Sequence, residues 1–172
     1  MRYTVTTFKV RLEVCDVGDS TAASGDVVRV ARPIFAELDA DKEHFVLLAL
    51  NNKNRINGYK LISTGTLTAS LIRPGDVYRA ALHLAAAAVV FVHNHPSCDP
   101  AASQEDVEIT RRLKEFGEML AMQVLDHIIL GADATTAFGQ GDFVKDYINI
   151  GPVPCEEYWR QYEHSRCAKM PA

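Results

Sequence analysis

Three short apolar runs constrain this chain more than any other feature: His44 to Leu50, Ala88 to Val92 and Val124 to Leu130. Ala88 to Val92 is short, continuous and β-branched, as expected of a strand buried on both faces, while the other two read as a compact apolar run and a core strand ended by Gly131. The segments between them follow a different period. After Pro74 and Gly75, Val77, Ala80, Ala81, Leu84 and Ala85 recur at helical spacing, so a helix is predicted over Asp76 to Ala88, with Pro74 and Asp76 at its start. A second helix is predicted from Gln104 to about Met122, because Ile109, Leu113, Phe116 and Leu120 keep three- and four-residue spacing and Ser103 supplies an N-cap. Buried strands alternating with amphipathic helices predict an α/β fold, a mixed sheet covered by helices.

The remaining segments are less constrained. Thr7 to Val14 reads as a strand, Asp16 to Gly25 as a loop, and Asp26 to Leu38 as a short helix in which Pro33 fits only near the start or at a kink. Asn51-Asn52-Lys53-Asn54 is turn chemistry joining the His44 run to a strand over Arg55 to Ser63, which makes a hairpin. Further extended pieces are expected at Leu67 to Ile72 and Phe143 to Ile150, then a short helix or arm over Cys155 to Cys167 carrying Trp159, and a disordered end from Ala168. The chain therefore divides into an N-terminal strand and loop (1–30), a central domain (31–150) and a C-terminal extension (151–172).

With 172 residues, 48% of them hydrophobic, the chain can bury one substantial core and not two. Eighteen basic and twenty-two acidic side chains give a net charge of -4, so no general field attracts a phosphate backbone, and nucleic-acid binding would need a local patch. Arg111, Arg112 and Lys114 are the one short basic cluster, which reads as a solvated helix face. Cys15, Cys98, Cys155 and Cys167 form no C-x-x-C pair and read as free thiols in a reducing cytoplasm. The residues from Met1 to Thr7 lack the apolar run of a secretion signal, and the longest apolar candidate for a membrane span, Leu82 to Val92, is interrupted by His83.

The chemistry is concentrated between His93 and Asp106. Side chains alternate along a strand, so His93 and His95 project to the same side at the end of an extended segment and can share one metal. A loop rich in proline and small residues then returns the chain to a helix whose first turn presents Asp106. Two nitrogens and one carboxylate oxygen at about 2.0–2.2 Å from zinc leave the fourth tetrahedral position open, the arrangement of a catalytic rather than a structural site. Such a site needs a carboxylate outside the metal shell to move protons, and Glu43, just before the first apolar run, is the candidate. Ser103 can donate a hydrogen bond to an oxyanion. Ser103-x-x-Asp106 also reads as a helix capping box, and a serine can do both. Asp126 and His127 are either a pair orienting a metal ligand or a hydrogen-bonded polar pair within the sheet.

The order Glu43, His93-x-His95-Pro96 and Ser103-x-x-Asp106 resembles the JAMM signature of the MPN/JAB metalloprotease superfamily. The wider text, Glu43-His44-Phe45, Ser63-Thr64-Gly65-Thr66-Leu67, Arg73-Pro74-Gly75-Asp76-Val77, His93-Asn94-His95-Pro96-Ser97 and Asp126-His127-Ile128-Ile129, resembles its RadC branch over roughly residues 30 to 150. The resemblance implies a cytidine-deaminase-like α/β/α sandwich and ligation of Zn2+ by His93, His95 and Asp106. It also implies water activation by Glu43, oxyanion stabilisation by Ser103, and peptide or isopeptide cleavage. Cys98 stands where the family has glycine, and the helix-hairpin-helix region of full-length RadC proteins is absent from this text. Two other classes stay open: a non-catalytic accessory module of DNA metabolism, and a metal-dependent nuclease. Iron or manganese suits the same ligand set.

Overall fold

The structure, a computed structural model, describes residues 24–65, 72–97, 99–131, 134–137 and 147–149. The expected strand at Thr7 to Val14, the extended piece at Leu67 to Ile72 apart from Ile72, the C-terminal helix and Cys98 lie outside these residues. The elements are α1 (Ser24–Phe35), β1 (Glu43–Leu50), β2 (Ile56–Gly65), α2 (Pro74–His83), β3 (Ala88–Asn94), α3 (Gln104–Met119), β4 (Gln123–Leu130), β5 (Ala134–Ala137) and β6 (Tyr147–Asn149). The strands form one mixed sheet in the order β2-β1-β3-β4-β5-β6. Among the described strands only β3 and β4 pair in parallel, across the connection that contains α3. The predicted α/β class is the observed one.

β1 and β3 are buried along nearly their whole length because helices cover both faces. One face carries Val46, Leu48, Val90, Val92 and Ile128 against Val27, Val28, Ala31 and Phe35 of α1. The opposite face carries Phe45, Leu47, Val89 and Phe91 against Val77 and Ala81 of α2 and Ile109 and Leu113 of α3. This is a three-layer α/β/α sandwich whose strands alternate between two apolar cores. α1 runs across residue 30, where the sequence reading ends its N-terminal region, and Pro33 sits in its last turns instead of at its start.

Both central helices stop earlier than their spacing predicts. After α2, Ala85 takes a positive φ of 50° and the Ala86 amide donates to the Ala81 carbonyl; after α3, Ala121 takes φ 51° and the Met122 amide donates to the Gly117 carbonyl. Each is a left-handed C-terminal stop with alanine where glycine is usual. Phe116 and Leu120, expected to be core, are 40% and 47% exposed, beside exposed Leu82 and Met119. In the basic cluster, Arg111 bonds Glu115 at 2.6 Å across an exposed helix face.

One irregularity decides which side chains meet. Between β3 and β4 the register slips, so that Val89 pairs with Val124 but Val90 pairs with Asp126. The extra residue inverts the alternation of β4. Val124 faces α2 and α3, Ile128 and Leu130 face α1, and His127, paired with Phe91, comes to the side of His93. Asp126 Oδ1 accepts the His127 amide at 2.8 Å at this distortion.

Candidate metal centre

His93 lies at the end of β3, fully buried. The His95 amide donates to the Leu130 carbonyl at 3.1 Å, which extends the β3–β4 ladder past the strand end and keeps His95 on the same side as His93. The loop then turns at Asp99, whose Oδ1 accepts the Ala101 amide at 2.9 Å. α3 begins with a complete capping box. Ser103 Oγ accepts the Asp106 amide at 3.1 Å, and Asp106 Oδ2 accepts the Ser103 amide at 2.8 Å and the Ser103 hydroxyl at 2.6 Å. That box turns the carboxylate toward the histidines.

Two ring nitrogens and both carboxylate oxygens of Asp106 converge. His93 Nε2 and His95 Nε2 are 3.0 Å apart, His93 Nε2 is 3.2 Å from Asp106 Oδ1, and His95 Nε2 is 3.4 Å from Asp106 Oδ2. Zinc bonds of about 2.0–2.1 Å at tetrahedral angles separate neighbouring ligand atoms by about 3.3–3.4 Å. The observed contacts are of this order, with each Asp106 oxygen facing a different imidazole, and His93, His95 and Asp106 could hold a metal ion. The His95 Nδ1 proton is donated to the Asp99 carbonyl at 2.7 Å, which leaves Nε2 as the free lone pair. Asp99 therefore shapes the loop with its side chain and fixes the tautomer of His95 with its carbonyl.

Electrostatics separate the three side chains. Burial lowers the His93 pKa, against the pull of Asp106. Burial also opposes charge on His95, but hydrogen bonds to Asp106 and the Asp99 carbonyl outweigh it and raise its pKa. Asp106 is desolvated too, yet the two histidines and the Ser103 hydroxyl hold it well below the ordinary carboxylate range. His127 is lowered well below the usual histidine value, by burial first and then by His93.

Glu43 opens β1 two residues before Phe45, which pairs with His93. Alternation puts Glu43 on the Phe45 face, and its charge favours the cationic forms of both His93 and His95. The β1–β3 ladder ends at the Phe45–His93 pair, and the Asn94 side chain takes over from it. Its Oδ1 accepts the His44 amide at 2.8 Å and its Nδ2 donates to the Lys42 carbonyl at 2.9 Å, one residue on either side of Glu43. His44 itself bonds Thr64 Oγ1 and the Asp39 carbonyl, away from the ligands.

The sequence reading missed this role of Asn94, and it missed Thr110. The one signal for Thr110 is its position four residues after Asp106, hence on the same side of α3. Its hydroxyl donates to the Asp106 carbonyl and contacts His127 Nδ1, each at 2.5 Å, while His127 Nε2 lies 2.8 Å from His93 Nδ1. The rings of Phe45 and Phe91 meet His127 edge-on, and Phe45 stacks on His93. Behind His93 the centre is buried and aromatic. Of the alternatives for Asp126 and His127, His127 touches a ligand and Asp126 serves the strand irregularity.

Among the described residues, no helix is long and apolar enough to cross a membrane. A family model described as RadC-like JAB domain matches residues 21–143. A UPF0758 protein of Syntrophotalea carbinolica is 44% identical over 66% of this chain and 52% of its own length. Its counterpart in Geobacter sulfurreducens is 48% identical over 60% and 45%, and that of Trichlorobacter lovleyi 52% identical over 58% and 44%. The chain thus spans about half the length of the curated relatives it matches. The matched residues contain α1, the sheet as far as β5, and all three converging ligands, and the chain belongs to the RadC family of the JAB/MPN superfamily.

Proposed function

We propose that this domain is a zinc-dependent hydrolase of amide bonds, acting on a peptide or isopeptide in a protein substrate within a reducing cytoplasm. The observation that carries the reading is the convergence of His93, His95 and Asp106 within reach of one ion, with the charge of Glu43 acting on both imidazoles. Bound there, zinc would polarise the scissile carbonyl and acidify a water. The protein supplies the rest. Glu43 takes the water proton and returns it to the leaving nitrogen, as a carboxylate outside the ligand set can. Asn94 holds the backbone on either side of Glu43. The Ser103 proton is committed to Asp106 Oδ2, so its proposed donation to an oxyanion requires the hydroxyl to turn from the carboxylate when substrate arrives.

Glu43→Gln tests the reading. The variant should keep the metal found in the wild-type protein by elemental analysis and lose roughly 10²–10⁴-fold in hydrolysis of a peptide library. Unchanged turnover would remove Glu43 from the mechanism. Parallel reactions with plasmid DNA, with and without chelator, separate a peptidase from a nuclease. Salt-dependent DNA binding without turnover of either substrate would instead indicate an accessory module.

A further inference from the structure

We propose that Thr110 and His127 are positioning residues that hold the proton of His93 on Nδ1 and so keep its Nε2 bare for the metal. The inference rests on the reading of His93 as a ligand, and the direction of the hydrogen-bond chain carries it. Thr110 Oγ1 lies 2.5 Å from the Asp106 carbonyl oxygen, a separation at which two oxygens repel unless a proton sits between them. A carbonyl has none, so the single hydroxyl proton of Thr110 points there.

Toward His127 the hydroxyl can then only accept, and His127 Nδ1, also 2.5 Å away, must carry hydrogen. A neutral imidazole has one ring proton, which leaves His127 Nε2 as an acceptor. Its partner at 2.8 Å is His93 Nδ1, which must donate. The far side of the His93 ring is thereby left as a lone pair, facing His95 Nε2 and Asp106 Oδ1.

The fold builds this chain deliberately. The strand irregularity at β4 brings His127 to this face, both imidazoles are fully buried, and Phe45 and Phe91 wall them. The chain is also closed: it starts on the backbone carbonyl of Asp106 and ends on a nitrogen that meets the Asp106 carboxylate. His95 obtains the same tautomer from a simpler device, the Asp99 carbonyl. Two histidines one residue apart are thus set alike by unrelated partners.

The test uses metal-free protein labelled with 15N-histidine, in which long-range proton–nitrogen correlations show which ring nitrogen carries hydrogen. Wild-type protein should show hydrogen on Nδ1 of both His93 and His127. In Thr110→Val, which keeps the shape and removes the acceptor, both rings should move their hydrogen to Nε2, and zinc affinity should fall about 10–100-fold. Thr110→Ser should restore both the tautomers and the affinity, which a purely structural role for the side-chain shape would not. Hydrogen on His93 Nε2 in the wild type would overturn the inference, even if Thr110→Val did not fold. So would a Thr110→Val protein with unmoved tautomers and undiminished zinc affinity. A wild-type protein that shows the expected tautomers and binds no zinc would overturn the metal reading and leave the proton chain standing.

Discussion

Replacing Asn94 with alanine separates the two things this side chain does. It removes the acceptor of the His44 amide and the donor to the Lys42 carbonyl, bonds of 2.8 and 2.9 Å. His44 is 3% exposed, so its orphaned amide incurs a desolvation penalty of about 1–3 kcal/mol. Lys42 is exposed and water can reach its carbonyl, so the second bond is worth about 0.5–1.5 kcal/mol. Together these predict a loss of about 1.5–4.5 kcal/mol, read from urea unfolding of the metal-free protein. Glu43 lies between the two anchored residues, and a displacement of about 1 Å at such a group lowers turnover by about 10²-fold. In a double-mutant cycle, Asn94→Ala should therefore lower hydrolysis in the wild type and have little further effect in Glu43→Gln. A stability change below about 0.5 kcal/mol would refute the hydrogen-bond accounting. Rate losses that multiply would show that Asn94 does not act through Glu43.

Gly117→Ala would place a methyl group 2.5 Å from the Met122 carbonyl oxygen and 2.6 Å from Tyr78 Oη, whose hydroxyl donates to the Leu113 carbonyl. The clash and the disturbed bond should cost about 2–4 kcal/mol, more than the roughly 1 kcal/mol gained in helix propensity. A raised urea midpoint would contradict this packing. The raised pKa of His95 makes a pH prediction for metal-free protein. Stability from its protonated form is fully present below the unfolded value of about 6.5 and is lost as pH rises through the higher folded value. The stability difference between wild type and His95→Gln should therefore shrink as pH rises above about 6.5. A difference that widens over that range would contradict the assigned partners.

Much of this fold is legible because the information is local. The apolar text of β1, β3 and β4 marks core strands, and His-x-His at a strand end puts two imidazoles on one side by alternation alone. The ends of α2 and α3 were illegible because Ala85 and Ala121 occupy the left-handed stops, and alanine is the residue that most favours continuing a helix. The Thr110–His127–His93 chain was hidden for another reason. Period-two reading carried from Val124 points His127 at α1, and nothing in the letters announces the slipped register that turns it toward His93. Asn94 read as one more strand residue because its task begins only where the β1–β3 ladder stops.

The capping box has a consequence for tracing this chemistry through related chains. One carboxylate both starts a helix and joins the cluster that could hold a metal, so a relative that binds no metal would still have reason to keep Ser103 and Asp106. Their survival in a relative would certify a sound helix rather than a working enzyme. The telltale losses would be an acidic residue at the Glu43 position and the pair of imidazoles.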